Sequence, residues 1–284
     1  MIIDCIKIRE KYIEKLNKRD LSKVCCLFIQ VGNNQASNTY VNNKIKLCNK
    51  LNIKANHMHL PESITEEDLL DIIKEANDDA DITGIMVQLP LPQHISEEKV
   101  INTIHPSKDI DGFTNENKGK LINGDNSAIV PCTPNGIMTV LEELDVDLNG
   151  KNVVVVGRSN IVGKPIAQLL INKGATVTVC NSKTDKILLK NLISNCHIFI
   201  SAIGQANYFN KDFFRGYITS YFKNMIAIDV GINRDKNNKL CGDIDKKMYE
   251  CFGYITPVPG GVGILTVLNV ILNSIKCCEN NKEG

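Results

Sequence analysis

The chain lacks an excess of charge of either sign: 33 lysines and arginines stand against 32 aspartates and glutamates, a net charge of +1 over 284 residues. A protein that tracks a polyphosphate backbone needs surplus cations, so nucleic acid is excluded as a partner. Long apolar runs are also missing. A membrane span needs about 18 such residues, and the longest candidate, residues 262–275, is interrupted by Gly263, Thr266, Asn269, Asn273 and Ser274. No membrane partner is expected. The opening Met1-Ile2-Ile3-Asp4-Cys5 has no basic region or apolar stretch of a signal peptide, and no transit-peptide bias toward arginine and serine. Cysteine is plentiful, with 11 residues, but paired spacing is not: the count is odd and no C-x-x-C occurs. Cys25, Cys26 and Cys180 lie inside apolar runs. A secreted disulfide scaffold is excluded on this reading, and reduced thiols in a cytoplasmic enzyme are expected. Among five histidines only His57-Met58-His59 has ligand-like spacing, without a cysteine or carboxylate partner, so no metal is expected.

What is present is an ordinary globular composition, 43% hydrophobic and 23% charged, in a chain long enough for two domains. Strand and helix patterns alternate throughout, which predicts an α/β fold. Residues 24–31 (VCCLFIQV), 54–60 and 83–89 read as strands, and 37–51, 66–77 and 96–104 as helices, the second opened by a capping box of Thr65 and Asp68. A polar stretch, 109–126, leads to Pro131-Cys132-Thr133-Pro134 and a helix over 136–144. A second set of strands follows, at 152–156, 175–180, 197–202, 225–230 and 253–256, and a final apolar helix over 263–278. We expect two domains: 1–134 completed by 263–284, and 135–262 with its own parallel, Rossmann-like sheet.

Residues 153–157 (VVVVG) form a buried strand ending in glycine, followed by Arg158-Ser159-Asn160-Ile161-Val162-Gly163-Lys164-Pro165 and a helix. Such a turn presents amides and a helix N-terminus to a phosphate. The spacing is not G-x-G-x-x-G, so an ordinary strand–helix turn stays open as a reading. The next strand ends Cys180-Asn181-Ser182-Lys183-Thr184, with no acid before Asp185. An NAD site carries an acid there to hold the ribose hydroxyls. Its absence, with Arg158 in the preceding loop, favours NADP.

Tyr40 and Lys44 share one helix face. Gln88 closes an otherwise apolar strand, at the end where open α/β sheets collect ligands. Asp109 and Asp111 stand in the loop Lys108-Asp109-Ile110-Asp111-Gly112-Phe113, and Pro259-Gly260-Gly261-Val262-Gly263 precedes a helix. Each also has a plainer reading: a solvated lysine beside a tyrosine, an edge-strand glutamine, a turn at Asp111-Gly112, a glycine-rich turn.

These segments occur in order with Tyr40-Val41-x-x-Lys44, Val87-Gln88-Leu89-Pro90-Leu91-Pro92, Val156-Gly157-Arg158-Ser159-x-Ile161-Val162-Gly163-x-Pro165, Asp229-Val230-Gly231-Ile232-Asn233 and Ile255-Thr256-Pro257-Val258-Pro259. From about Asp4 to the last helix, the set closely resembles the bifunctional methylenetetrahydrofolate dehydrogenase/methenyltetrahydrofolate cyclohydrolase family. The resemblance implies NADP-dependent oxidation of 5,10-methylenetetrahydrofolate, hydrolysis of the product to 10-formyltetrahydrofolate, and a homodimer. It implies Lys44 as the main catalytic residue, Tyr40 positioning folate, Gln88 tuning Lys44, and Asp111 holding the pterin. Val41, Val87, Leu89, Pro259, Gly260, Gly261, Val262 and Gly263 would line the substrate site. Gly157, Arg158, Ser159, Ser182 and Ile232 would contact NADP. The family's usual Pro-Met-Thr after the glycine loop is replaced by Ile264-Leu265-Thr266, which is expected to loosen that loop. A monofunctional dehydrogenase, a shikimate-dehydrogenase-like NADP oxidoreductase and a nucleotide-sensing module are the alternatives.

Overall fold

A computed structural model of the chain describes residues 1–216 and 219–280, so the end of the expected 263–284 segment lies outside the described residues. It contains two compact units. One comprises Lys11–Cys132 and the chain from Val267 on; the other comprises Met1–Glu10 and Thr133–Thr266.

Helix α1 (Cys5–Leu16) is followed in the first unit by β1 (Cys25–Val31), α2 (Gln35–Lys50), β2 (Lys54–Leu60), α3 (Glu66–Asp78), β3 (Gly84–Val87), α4 (Glu97–Thr103) and α5 (Asn115–Ile122). The three strands are parallel in the order β2-β1-β3. Central β1 is buried at all seven positions, which is why it reads as a continuous apolar run, whereas edge strand β2 alternates. Thr65 caps α3 as its spacing predicts, its Oγ1 accepting from the Asp68 amide at 3.1 Å. The far end of α3 is held by Lys108, whose Nζ donates to the carbonyls of Ala76, Asn77 and Asp79 at 3.2, 2.6 and 2.7 Å. Gly84 matters for a steric reason: a Cβ there would collide with Ile110, so glycine lets the 109–110 segment bridge to Ile85 along β3.

The second unit runs α6 (Cys132–Glu143), β4 (Asn152–Val156), α7 (Gly163–Asn172), β5 (Thr176–Cys180), α8 (Lys186–Ser194), β6 (Ile198–Ser201), β7 (Ile226–Asp229), the hairpin β8 (Asn233–Arg234) and β9 (Leu240–Cys241), β10 (Tyr254–Ile255), and then α9 (Val262–Asn280), which continues into the first unit. Its sheet is parallel, ordered β10-β7-β6-β4-β5. The order reverses between β4 and β6, which makes that crevice the switch point where doubly wound sheets bind ligands. One face is filled by an aromatic cluster in which Phe199 meets Phe209 edge-on and Phe222 stacks on Phe252.

Two differences from the sequence reading have physical causes, and the expected packing of the last helix into the first unit is found. Residues 1–10 belong with the second unit, because Ile2 bridges to Ile255 and the Ile3 amide donates to the Ile255 carbonyl at 2.8 Å. The polar 109–126 stretch contains α5, whose few apolar residues hide its period and whose start is capped by Thr114. Helix α9 runs to 19 residues and by length and composition is apolar enough to cross a membrane. It is a core helix, as the sequence reading expects: most of it is buried, and from Leu268 on it packs into the first unit. There Asn273 Nδ2 donates to the carbonyls of Ile110 and Val130 at 2.9 and 2.8 Å, and Lys276 Nζ to those of Asn126 and Ala128 at 2.7 and 2.8 Å. Asn273, one of the polar residues that interrupt the apolar run, is thus one of its anchors. All 11 cysteines are free thiols.

Asn273→Leu should therefore remove the side-chain donor from the Val130 carbonyl and leave the Ile110 carbonyl to the weaker Cys132 thiol alone, at a cost of about 1–3 kcal/mol of unfolding free energy in urea titrations. A change below about 0.5 kcal/mol, the range of surface substitutions, would contradict this role.

Candidate active site

Lys44 sits in the middle of α2, only 4% exposed. Its Nζ donates to Gln88 Oε1 at 2.9 Å and lies 3.2 Å from Met86 Sδ. Burial holds the amine below the ordinary lysine range, while the charge of Asp111, and more weakly Cys132, works in the opposite direction. Gln88 is itself fixed, because its Nε2 donates to the Leu89 carbonyl at 2.7 Å. That bond leaves Oε1 as the atom facing the lysine. A neutral acceptor orients the amine without supplying the negative charge that would keep it protonated.

Asp109 and Asp111, two residues apart, have opposite employments. Asp109 is buried and spent on the loop: Oδ1 accepts from the Gly112 amide at 2.9 Å, and Oδ2 from the Thr114 amide at 2.8 Å and Asn117 Nδ2 at 3.1 Å. The turn chemistry read from the sequence belongs to it. Asp111 is half-buried and its carboxylate has no hydrogen-bond partner among the described residues. Desolvation pushes it up to about 7, against the pull of Lys44 and with a push from Asp109. Gly112, at φ +72°, lies where a Cβ would collide with the 129–131 backbone. Behind the loop Asn273 and Cys132 share the Ile110 carbonyl. The sequence reading missed Asn273, whose only signal was polarity within an apolar helix.

The structure brings Lys44, Gln88 and Asp111 together. Tyr40 stands one turn before Lys44 and is 36% exposed, its hydroxyl raised by burial. Val41 and Val87 are core residues, and Leu89 is half-buried. Pro259, Gly260, Gly261, Val262 and Gly263 belong to the second unit. There Gly260 takes φ +95°, and Gly261 approaches the Pro257 carbonyl more closely than a Cβ would allow. The Ile264 amide donates to the Gly261 carbonyl at 3.1 Å, a bond a proline cannot make.

In the second unit Gly157, at φ +126°, and Gly163 pack so closely that a Cβ would strike the Ala202 carbonyl at the first and the Gly157 carbonyl at the second. Ser159 Oγ accepts from the amides of Val162 and Gly163, at 3.1 and 3.3 Å, and shapes the entry to α7. Arg158 and Ser182 are exposed and without hydrogen-bond partners among the described residues. Asp185, the first acid after β5, caps α8 by accepting from the Ile187 and Leu188 amides, both at 2.9 Å. Its Oδ1 is engaged by the helix start. Ile232 is half exposed, its Cδ1 beside Gly263. His57 and His59 stack on β2, His59 Nε2 meeting the Gly32 carbonyl at 2.9 Å, and among the described residues no group of three or more potential ligands surrounds them.

Residues 4–111 match the family model for the tetrahydrofolate dehydrogenase/cyclohydrolase catalytic domain, and residues 131–282 the model for its NAD(P)-binding domain. The chain is 44% identical over 274 residues to the bifunctional protein FolD of Clostridium novyi, covering 96% of this chain and 94% of that one. The crystal structure of the bifunctional FolD methylenetetrahydrofolate dehydrogenase/cyclohydrolase from Campylobacter jejuni is 40% identical, with a TM-score of 0.87 over 97% of this chain and 96% of the other. That of the Trypanosoma brucei enzyme, complexed with NADP cofactor and inhibitor, is 29% identical with a TM-score of 0.88, covering 100% of this chain and 99% of the other. Two domain models in register, and relatives matched along nearly their whole length, place the chain in the tetrahydrofolate dehydrogenase/cyclohydrolase family.

Proposed function

We propose that this protein oxidises 5,10-methylenetetrahydrofolate to the 5,10-methenyl form and hydrolyses that product to 10-formyltetrahydrofolate, in one-carbon metabolism. The observation that carries the reading is a desolvated lysine held at 2.9 Å by a neutral glutamine, with the unpaired carboxylate of Asp111 in electrostatic reach.

In the hydrolytic step water adds to the cationic methenyl carbon. Unprotonated Lys44 takes one proton from that water to give the neutral hydroxyl adduct and, as an ammonium, delivers it to N5 as the carbon–nitrogen bond breaks; the hydroxyl proton is released to solvent as the formyl carbonyl forms. Burial serves both halves, since it lowers the amine's pKa below the ordinary lysine range and so raises the fraction able to act as a base. Gln88 orients the amine, and Tyr40 flanks the folate one turn away. Ionised Asp111 accepts from the amino-pyrimidine edge of the pterin, which offers two donors. A sensor that binds nucleotide has no use for this set, and a shikimate-type oxidation has none for Gln88. Retention of the Lys44–Gln88 contact favours the bifunctional enzyme over a dehydrogenase alone.

Residues 11–132 and the end of α9 form the folate-binding domain in this reading, and residues 133–266 the dinucleotide domain. NADP, when bound, accepts the hydride from the methylene carbon. The glycine-bounded loop after β4 fits its pyrophosphate, with amides and the start of α7 presented to an anion. Arg158 and Ser182, both free, suit a 2′-phosphate, and Asp185 is tied to α8, which supports NADP over NAD. The edge of β5, unpaired among the described residues, with Val179 exposed on it and Ile187 and Leu188 exposed on α8, supports a homodimer through this unit. Eleven free thiols suit the reducing cytoplasm.

Lys44→Met should abolish hydrolysis of methenyltetrahydrofolate while leaving measurable NADP reduction, because the proton carrier is lost and the alignment of reactants is not. Full hydrolase activity in a folded, folate-binding variant would exclude the role. Arg158→Ala should weaken NADP by roughly ten- to a hundredfold, the loss of a charge-assisted contact, and leave NAD nearly unchanged. Equal losses in titrations with both dinucleotides would count against it. The KM for methylenetetrahydrofolate should rise as pH falls through about 7, because Asp111 protonates there and ceases to be a double acceptor. Asp111→Asn should give a high KM with a flat pH profile, and a profile as steep as that of the parent chain would remove Asp111 from the site.

A further inference from the structure

Asp243, at the end of the β8–β9 hairpin, is completely buried, and its carboxylate accepts four hydrogen bonds from neutral donors. Oδ2 accepts from Ser201 Oγ at 2.8 Å and the Ile203 amide at 2.9 Å; Oδ1 accepts from the Gln205 amide at 2.8 Å and Asn233 Nδ2 at 2.9 Å. Ser201 ends β6, Ile203 and Gln205 belong to the loop after it, and Asn233 begins the strand after β7. One carboxylate thus joins the two loops that follow neighbouring strands on the far side of the switch point from the phosphate loop. The approach is so close that a Cβ on Gly231 would collide with Asp243 Oδ1. Asp243 is placed in turn by its own amide, which donates to Asp229 Oδ1 at 3.0 Å.

The phosphate loop after β4 and the end of β5 take the pyrophosphate and the adenosine half of a dinucleotide, so its nicotinamide half extends toward β6 and β7. We propose that Asp243 is a positioning residue for that half: it sets the backbone of residues 202–205 and the turn containing Ile232, and so determines dinucleotide affinity without touching the dinucleotide. This rests on the reading of the second unit as the NADP domain. The chemistry demands an aspartate specifically. Each oxygen receives one backbone amide, and backbone amides cannot become acceptors, whereas the hydroxyl of Ser201 and the amide of Asn233 can turn. In Asp243→Asn the side-chain NH2 meets a backbone N–H whichever way it is rotated, and the 203–205 segment is pushed away.

The two activities of the one chain separate positioning from mere packing, since hydrolysis of methenyltetrahydrofolate uses no dinucleotide. In Asp243→Asn the KM for NADP should rise roughly ten- to a hundredfold, with kcat at saturating NADP and the dinucleotide-free hydrolase rate both kept. Ser201→Ala, which removes one donor and leaves both amides bonded, should raise the same KM by a smaller factor. A variant whose kcat falls with its folded fraction, at unchanged KM for NADP, would overturn the proposal. If Asp243→Asn does not fold, an unchanged KM in Ser201→Ala overturns it equally. A parent chain that hydrolyses methenyltetrahydrofolate yet neither binds nor reduces NADP would instead overturn the assignment of the dinucleotide domain.

Discussion

An amine taken out of water, with a neutral oxygen at 2.9 Å and no ion pair to a carboxylate among the described residues, is the constraint around which the three-stranded unit is organised. Lys44 is tolerable there because it can shed its proton, and desolvation is what makes shedding easy. The acid of the site is kept out of hydrogen-bond contact with it but within reach of its charge. Asp111 and Lys44 therefore depress each other's neutral forms only in part, which leaves both groups titrating closer to neutrality than they would in water.

Holding two such groups apart needs a stiff frame. Asp109 absorbs three donors of its own loop, Lys108 ties that loop's start to the end of α3, and Asn273 reaches in from α9 to hold the carbonyls of Ile110 and Val130. Every polar member is matched, as a buried network must be if it is to rigidify a site. Gly84 contributes by absence, since only a missing Cβ lets the 109–110 segment lie along β3.

The five-stranded unit solves a similar problem with carboxylates alone. Asp229 accepts from the amides of Gly231, Asp243 and Ile244, at 3.0, 3.0 and 2.8 Å, and Asp243 accepts from the loop after β6. Burial still pushes Asp229 up to about 7, the amide donors offsetting only part of it. In both units a buried aspartate substitutes for secondary structure where the chain must turn at the carboxyl end of a strand.

The α/β class, nearly every strand and the capping box at Thr65 were legible in the sequence, which also singled out Lys44, Gln88 and Asp111 as candidates through the family resemblance. The signals for the elements are local: an apolar run for a strand covered on both faces, and a hydroxyl three residues before an acid at a helix start. Helix α5 escaped notice because a mostly polar, glycine-containing segment carries little periodicity, and its stability comes from Thr114 and from packing. What the tertiary structure alone decided is employment. Asp109 and Asp111 are chemically identical and two residues apart, yet one is consumed by three donors and the other is left open. Asp185 stood in the sequence as the first acid after β5, and only the tertiary structure showed its Oδ1 engaged by the start of α8. Asn273 looked like a flaw in an apolar helix until its partners at Ile110 and Val130, more than a hundred residues away, were in place. Local pattern determines which element a residue joins, and a hydrogen bond across the fold determines whether its polar atoms remain available for chemistry.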